Sequence, residues 1–225
     1  GPARARELQC VPPFGADLLG GQHCPAVARI RTSRRLPAPV ADLLRSIAYG
    51  PDGPTGHTLP DVPLKRTPFA APLTVVDMSR MGREEATARL YGSLRRFVSP
   101  VLFDGGRLRP LVTKLSRART TTLASRLGGF AEVSTVHGAQ GREAPVAVFD
   151  VFADSPRLEW HRASGALDEG GRLLTVALTR ASRHAIVAVD VGRFSREAGE
   201  HWRRFLHHAR ATAGVSVVPV ADLQP

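Results

Sequence analysis

Lysine, cysteine and long apolar stretches are all scarce in this sequence. Lys65 and Lys114 are the only lysines among its 225 residues, and Cys10 and Cys24 are the only cysteines. Two cysteines are too few for a disulfide scaffold or a four-thiolate zinc site, so we expect reduced thiols and no metal site. No apolar run approaches the roughly 20 residues of a membrane-spanning helix, and no leader opens the chain. These absences favour a soluble, intracellular protein without a membrane partner.

Arginine carries almost all of the positive charge. The formal net charge is +11 with histidine neutral, and hydrophobic residues make up 43% of the chain. The hydrophobic share is ample for a core. A large positive charge favours a polyanionic partner such as nucleic acid. The alternative is that codon usage favours arginine and that the excess charge merely solvates the surface.

The chain divides into an irregular part and a regular part. Gly1 and Pro2 look like the remnant of a cleaved tag, and prolines interrupt residues 3–72. One short helix is predicted there, beginning at Pro39 and ending near Tyr49, before Gly50. The stretch from Thr55 to Pro72 reads as a loop.

Residues 73–225 alternate between strand-like and helix-like patterns. Such alternation is typical of a parallel sheet with helices on its faces. We therefore predict an α/β fold of three layers with a mostly parallel sheet. The predicted strands are Leu73–Asp77, Leu111–Thr113, Val133–Val136, Val146–Phe152, Ile186–Val189 and Val215–Val220. One helix is predicted to follow Ser79 as its cap. The other predicted helices span Ser116–Leu127, Leu173–His184 and Arg196–Ala211.

A polar segment follows one of these strands. Residues 134–143 read STVHGAQGRE, and the apolar strand from Val146 comes next. In an open parallel sheet, ligands bind in the crevice at the carboxyl ends of the strands, and this segment is expected at such an end. Its glycines allow a ligand to approach the backbone closely.

A second segment places an arginine among apolar residues. Residues 172–184 read RLLTVALTRASRH. On a helix, Leu173, Val176, Ala177 and Arg180 share one face. A guanidinium there needs an anionic partner, because burying it alone costs about 3 to 5 kcal/mol.

The two segments resemble motifs V and VI of superfamily 1 helicases, especially the subgroup of the nonsense-mediated-decay helicase. Residues 34–40, RRLPAPV, are similar to motif IV, with Arg34 and Leu36 in place of its usual tyrosine and methionine. Residues 111–116 stand where the family often has a threonine-proline-tyrosine turn, of which only Thr113 is retained. The resemblance implies that residues 73–225 are the second RecA-like motor domain, with the motif IV region inside residues 3–72.

The resemblance also implies roles for individual residues. Arg180 would be an arginine finger for the γ-phosphate of ATP, and Arg35 would approach it from the other side. Glu143 would bind the ribose beside Gly141, and Arg183 would also contact the nucleotide. The residues implied in contacts with a single strand, or in coupling it to the ATP site, are Thr113, Thr135, His137, Gln140 and Arg142.

Each of these roles has a simpler alternative. Arg180 could be a core-edge arginine paired with a carboxylate such as Asp150. Arg183, Arg35 and Glu143 could be solvated surface charges. His137 could bond only to backbone, and Thr135 could be a simple helix cap.

A P-loop, Gly-x-x-x-x-Gly-Lys-Ser/Thr, is absent, since neither Lys65 nor Lys114 has that context. The resemblance therefore implies that ATP and magnesium are held mainly by an upstream first RecA-like domain, and that this chain alone is inactive. The expected activity of the whole is an ATP-dependent helicase or translocase acting on single-stranded DNA or RNA. Two other hypotheses are a degenerate helicase-like module that binds nucleic acid or a protein without ATP turnover, and a free-standing nucleotide-binding regulator.

Overall fold

The structure is a computed structural model and describes residues 32–51, 53–57, 64–103, 105–152 and 169–225. Residues 1–31, including the expected tag remnant, lie outside the described part. The strands within it are β1 (Thr32–Pro37), β2 (Thr55–His57), β3 (Leu73–Asp77), β4 (Leu102–Phe103), β5 (Gly106–Arg107), β6 (Leu111–Lys114), β7 (Glu132–Thr135), β8 (Ala144–Asp150), β9 (Ala181–Val189) and β10 (Val215–Pro219). The α-helices are α1 (Ala38–Leu44), α2 (Arg83–Phe97), α3 (Arg117–Leu127), α4 (Glu169–Leu178), α5 (Val191–Glu197) and α6 (Glu200–Ala211).

One six-stranded sheet organises the described chain. Its strand order is β10-β3-β9-β8-β6-β7, and every neighbouring pair is parallel. At the centre, Val148 of β8 lies opposite Ile186 of β9 and Val112 of β6. The prediction of an α/β fold with a parallel sheet is confirmed, and the architecture is that expected of a RecA-like domain.

Helices cover both faces of the sheet, which is why its central strands are apolar at nearly every position. Side chains alternate between the faces, so Phe149 enters one hydrophobic cluster while Val146 and Val148 enter the other. The first cluster contains buried residues of α1, α4, α5 and α6, and the second contains those of α2 and α3. The result is three layers, and among the described residues no helix is both long and apolar enough to cross a bilayer.

The described part of the expected irregular segment packs into the same core. Val40, Leu43 and Ile47 are buried in the first cluster. The predicted short helix is present as α1 followed by a π-helical turn, Arg45–Tyr49, and it ends at Gly50, whose φ is 68°. The stretch predicted as a loop from Thr55 contains the short strand β2, which pairs with β1. A Cβ at Gly56 would lie 2.5 Å from the backbone of Ala38, so this pairing requires glycine there.

Local sequence signals predicted the bounds of α3 correctly, but they misplaced the bounds of two other helices. Ser116 precedes α3, and Gly128 ends it with φ 53°, as predicted. The helix predicted to start at Ser79 begins instead at Arg83, because the Ser79 amide donates to Asp77 Oδ1, 3.0 Å away, in a separate turn. The predicted helix Arg196–Ala211 is two helices, with a break at Ala198 and Gly199.

The correction with most consequence concerns the predicted helix Leu173–His184. Helix α4 ends at Leu178, and residues 181–184 belong to β9. Ala181 pairs with Ala144, and His184 pairs with Val146, so the ladder with β8 outweighs the helical pattern of this stretch. Arg180 therefore lies in the turn between α4 and β9 and not on the helix.

We predict that the aromatic cluster under the first face dominates stability. The Trp202 ring is fully buried, with its centroid 4.9 Å from that of Phe194 and 5.4 Å from that of Phe205. Trp202→Ala should lower the free energy of unfolding by about 3 to 5 kcal/mol because it leaves a large cavity. Urea denaturation measures this change. The control Val217→Ala, at a side chain that is 37% exposed, should cost about 1 kcal/mol or less; equal losses for the two variants would contradict the prediction.

Candidate functional site

The polar segment after β7 folds into a compact turn, residues 136–143. The Gly138 amide donates to Thr135 Oγ1 at 2.9 Å, and the Ala139 amide donates to the Thr135 carbonyl at 2.9 Å. Gly141 has φ 79°, a conformation that favours glycine. At Gly138, a Cβ would lie 2.8 Å from Ser134 Oγ, so a larger residue there would require the Ser134 side chain to move.

Arg180 joins this turn to the end of helix α4. Its Nη1 donates to the carbonyls of Arg142 at 2.9 Å and Ala139 at 3.4 Å. Its Nε donates to the Val176 carbonyl at 3.0 Å, and its Nη2 donates to Thr179 Oγ1 at 3.0 Å. A cation is favourable at the carboxyl end of a helix, where carbonyls are left without intrahelical donors. The two segments singled out in the sequence are therefore in direct contact.

The two segments do not both lie at the carboxyl edge of the sheet, meaning the edge formed by the last residues of the parallel strands. Thr135 and Lys114 end their strands and lie at that edge. Arg180 and Glu143 immediately precede β9 and β8, and the Ala144 amide donates to the Arg180 carbonyl at 2.9 Å. They lie at the opposite, amino edge. The turn 136–143 thus runs from one edge to the other, which corrects the expectation that the segment 134–143 lies at the carboxyl ends of the strands.

Five of the expected site residues lie within the turn itself. His137, Gln140 and Glu143 are exposed, as is Gly141. The half-buried Arg142 side chain forms an ion pair with Glu132, next to its backbone contact with Arg180.

Arg183 is the third residue of β9 and is half-buried. Its neighbour His184 is fully buried, with Nδ1 3.1 Å from the Ala71 carbonyl oxygen. Burial lowers the pKa of His184, and the nearby charge of Arg183 lowers it further.

The two expected site residues outside these segments are Thr113 and Arg35. Thr113 is 1% exposed, and its hydroxyl donates to the Val148 carbonyl at 3.1 Å. This side chain stabilises the sheet and does not face a strand, which corrects its expected role. Arg35 lies in β1, but its side chain lies outside the described part.

A buried ion pair at the carboxyl edge is not among the site residues expected from the sequence. Lys114 Nζ lies 2.7 Å from Asp150 Oδ2, and these side chains are 3% and 2% exposed. Tyr91 donates its hydroxyl to the same oxygen at 2.6 Å, and the Phe152 amide donates to Oδ1 at 3.2 Å. The alternative partner considered for Arg180, Asp150, is thus held by Lys114 and Tyr91. The signal in the sequence is a lone carboxylate within an apolar strand.

This pair forms the floor of an arginine-lined cleft between α2 and α3. The cleft has a volume of about 240 Å³ and is lined by Arg83, Arg119, Arg126 and Glu84 as well as the pair. Since Lys114 and Asp150 neutralise each other, the three arginines outnumber the single glutamate at the opening. The cleft is therefore suited to anionic ligands.

Comparisons with known proteins add little to this geometry. No family model matches the sequence, and no curated protein matches it. Among solved structures, the C-terminal domain of a possible DNA helicase from Lactobacillus plantarum WCFS1 is similar, with a TM-score of 0.49 and 16% identity. The similarity covers 83% of this chain and 99% of that one. At a TM-score below 0.5, it establishes neither fold nor function.

We predict that the buried pair is far more costly to break than an exposed one. Asp150→Ala leaves Lys114 buried without its counterion and should lower the free energy of unfolding by about 3 to 5 kcal/mol. Glu85→Ala, which removes the exposed partner of Arg89 at 3.6 Å, should cost less than about 1 kcal/mol. The double variant Lys114→Met/Asp150→Leu should be less damaging than Asp150→Ala in the same denaturation assay. A double variant as unstable as the single one would argue against an uncompensated charge.

We predict that His184 makes the fold sensitive to acid. Its pKa is lower in the folded state than the ordinary value of 6.5, so the unfolded chain binds the proton more readily. Its contribution is complete above about pH 6.5 and declines as the pH falls toward the folded-state pKa. Urea midpoints measured from pH 7 to pH 5 should fall less steeply in His184→Asn than in the unmodified chain. His207→Asn, at an exposed position, should keep the original slope; an unchanged slope in His184→Asn would refute the assignment.

Proposed function

We propose that this chain is the second RecA-like motor domain of a superfamily 1 helicase or translocase, and that it supplies one wall of an ATP site. The observation that carries the proposal is the contact between Arg180 and the turn 136–143. Arg180 follows Ala139 by 41 residues and Arg142 by 38 residues in sequence, yet its guanidinium bonds to the carbonyls of both.

The amino edge has the chemistry for a nucleoside triphosphate. Arg180 is half-buried, and within the described part of the chain its Nη1 donates to the neutral carbonyls of Ala139 and Arg142. A γ-phosphate would offer stronger, charge-assisted hydrogen bonds in their place. Glu143 is exposed near by, where a carboxylate can accept a hydrogen bond from a ribose hydroxyl, and Gly141 leaves room beside it. Arg35 and Arg183 complete the proposed set.

The rest of the ATP site must come from elsewhere. Lys114 is buried in its pair with Asp150, and Lys65 is exposed outside any phosphate-binding loop. An upstream RecA-like domain with a P-loop would hold the phosphates and magnesium. Arg180 would then act across the gap between the domains, stabilising the charge that develops on the transferred phosphoryl group.

The carboxyl edge has the chemistry for the backbone of a single strand. Thr135 and His137 lie where β7 ends, and the arginine-lined cleft opens beside the ends of β6 and β8. Such groups contact phosphates and fix position without reading sequence. We assign Arg83, Arg119 and Arg126 to this surface, where they replace the buried Thr113.

The turn 136–143 would couple the two sites. It begins directly after Thr135, the proposed strand contact, and it ends at Glu143 beside Arg180. Because hydrogen bonds restrain the backbone of the turn, displacement of one end by a strand would shift the other end. Gln140 and Arg142 lie within it, which supports their assignment as coupling residues.

A degenerate module that binds nucleic acid without ATP turnover is the second candidate. The observation in its favour is that Arg180 is already engaged by four hydrogen bonds, as a purely structural arginine would be. The two functions predict different effects of removing that side chain on ATP hydrolysis.

The test uses the protein that carries this chain together with its upstream domain. Arg180→Ala should lower the rate of strand-stimulated ATP hydrolysis by about 10³-fold or more, since arginine fingers contribute 10³ to 10⁵. Affinity for single strands should change little. Arg172→Ala, at an exposed position of helix α4, should hydrolyse ATP normally. Melting temperatures separate a catalytic loss from unfolding, and normal turnover in a folded Arg180→Ala protein would remove the finger assignment.

A further inference from the structure

A second crevice opens at the carboxyl edge, between β3 and β9. After β3 the chain passes to α2 on one face of the sheet, whereas after β9 it passes to α5 on the other face. Neighbouring strands whose connections leave in opposite directions create the crevice in which open α/β sheets bind ligands. The cavity there has a volume of about 590 Å³.

Two aspartates fix the walls of this crevice. Asp77 Oδ1 accepts from the Ser79 amide at 3.0 Å and from the Val191 amide at 3.2 Å, so it ties the loop after β3 to the start of α5. Asp190 Oδ1 accepts from the Arg193 amide at 2.8 Å. These amides are already engaged, so donors for a ligand must come from side chains.

Three arginines supply such donors. Arg80, Arg196 and Arg210 line the cavity and are exposed. Within the described part of the chain none of them is in an ion pair, whereas Arg193 and Arg204 on the same helices pair with Glu197 and Glu200. Arg80 also has φ 68°, a strained conformation for a residue with a side chain. Unpaired guanidiniums around a crevice are suited to an oxyanion that accepts several hydrogen bonds.

We propose that this crevice binds a sugar-phosphate unit. Arg80, Arg196 and Arg210 would hold the phosphate, and the carboxylates of Asp77 and Asp190 would accept hydrogen bonds from sugar hydroxyls. The unit belongs either to a free ribonucleotide or to an RNA strand, since both present a phosphate beside a ribose 2′-hydroxyl. The inference goes beyond the proposed motor function, because it involves neither Arg180 nor ATP turnover.

The experiment titrates the full chain, at constant ionic strength, with AMP and separately with short oligothymidylate and oligouridylate. The amide NMR signals of Ser79 and Gly192 report binding in the crevice itself. Arg196→Gln/Arg210→Gln should weaken binding there by about tenfold or more, because two charge-assisted contacts are lost. The control Arg172→Gln/Arg203→Gln removes the same charge at exposed positions outside the crevice and should change affinity by less than about twofold.

Each outcome decides the proposal. A shift of these signals with AMP that is lost only in the crevice variant identifies a free nucleotide as the ligand. A shift with oligouridylate but not with AMP, lost in the same way, identifies an RNA strand, for which oligothymidylate is the control that lacks 2′-hydroxyls. No shift with any probe, or equal weakening in the control variant, overturns the proposal. The Arg180→Ala chain should still bind, so a failure of the ATP-site proposal remains distinguishable from a failure of this one.

Discussion

The guanidinium of Arg180 is the contact on which the rest of the account depends. It holds the end of helix α4 against the turn 136–143, through the carbonyls of Val176, Ala139 and Arg142. A backbone hydrogen bond from Ala144 to Arg180 joins the same two segments. A single cation thus satisfies carbonyls from two segments and keeps both at the amino edge of the sheet.

Two groups of polar residues lie at opposite edges of the sheet and are joined by the turn 136–143. The arginine-lined cleft and Thr135 lie at the carboxyl edge, and Glu143 lies with Arg180 at the amino edge. The turn 136–143 connects the two edges, and hydrogen bonds restrain its backbone. In the motor that we propose, the site of ATP hydrolysis would lie at the amino edge and the site of strand contact at the carboxyl edge, with the turn as the connection between them.

Local patterns predicted the layers of the fold but not its edges. The end of helix α3 was predictable because Gly128 takes the left-handed conformation that favours glycine after a helix. The start of β9 was not, since pairing with β8 converts residues that favour a helix into a strand. For the same reason, the sequence singled out Arg180 but could not show that this residue lies at the amino edge of the sheet. The pair of Lys114 and Asp150 was also hidden, because an apolar strand with one carboxylate signals a need for a partner without saying which residue supplies it.

The most direct test of the account is ATP hydrolysis by this chain joined to the proposed upstream domain, measured with and without single-stranded DNA and RNA. If Arg180 and the turn form one wall of an ATP site coupled to a strand site, hydrolysis should be slow alone and increase severalfold or more with at least one kind of strand. A protein that binds strands but hydrolyses no ATP in their presence would contradict the motor function and leave a binding module.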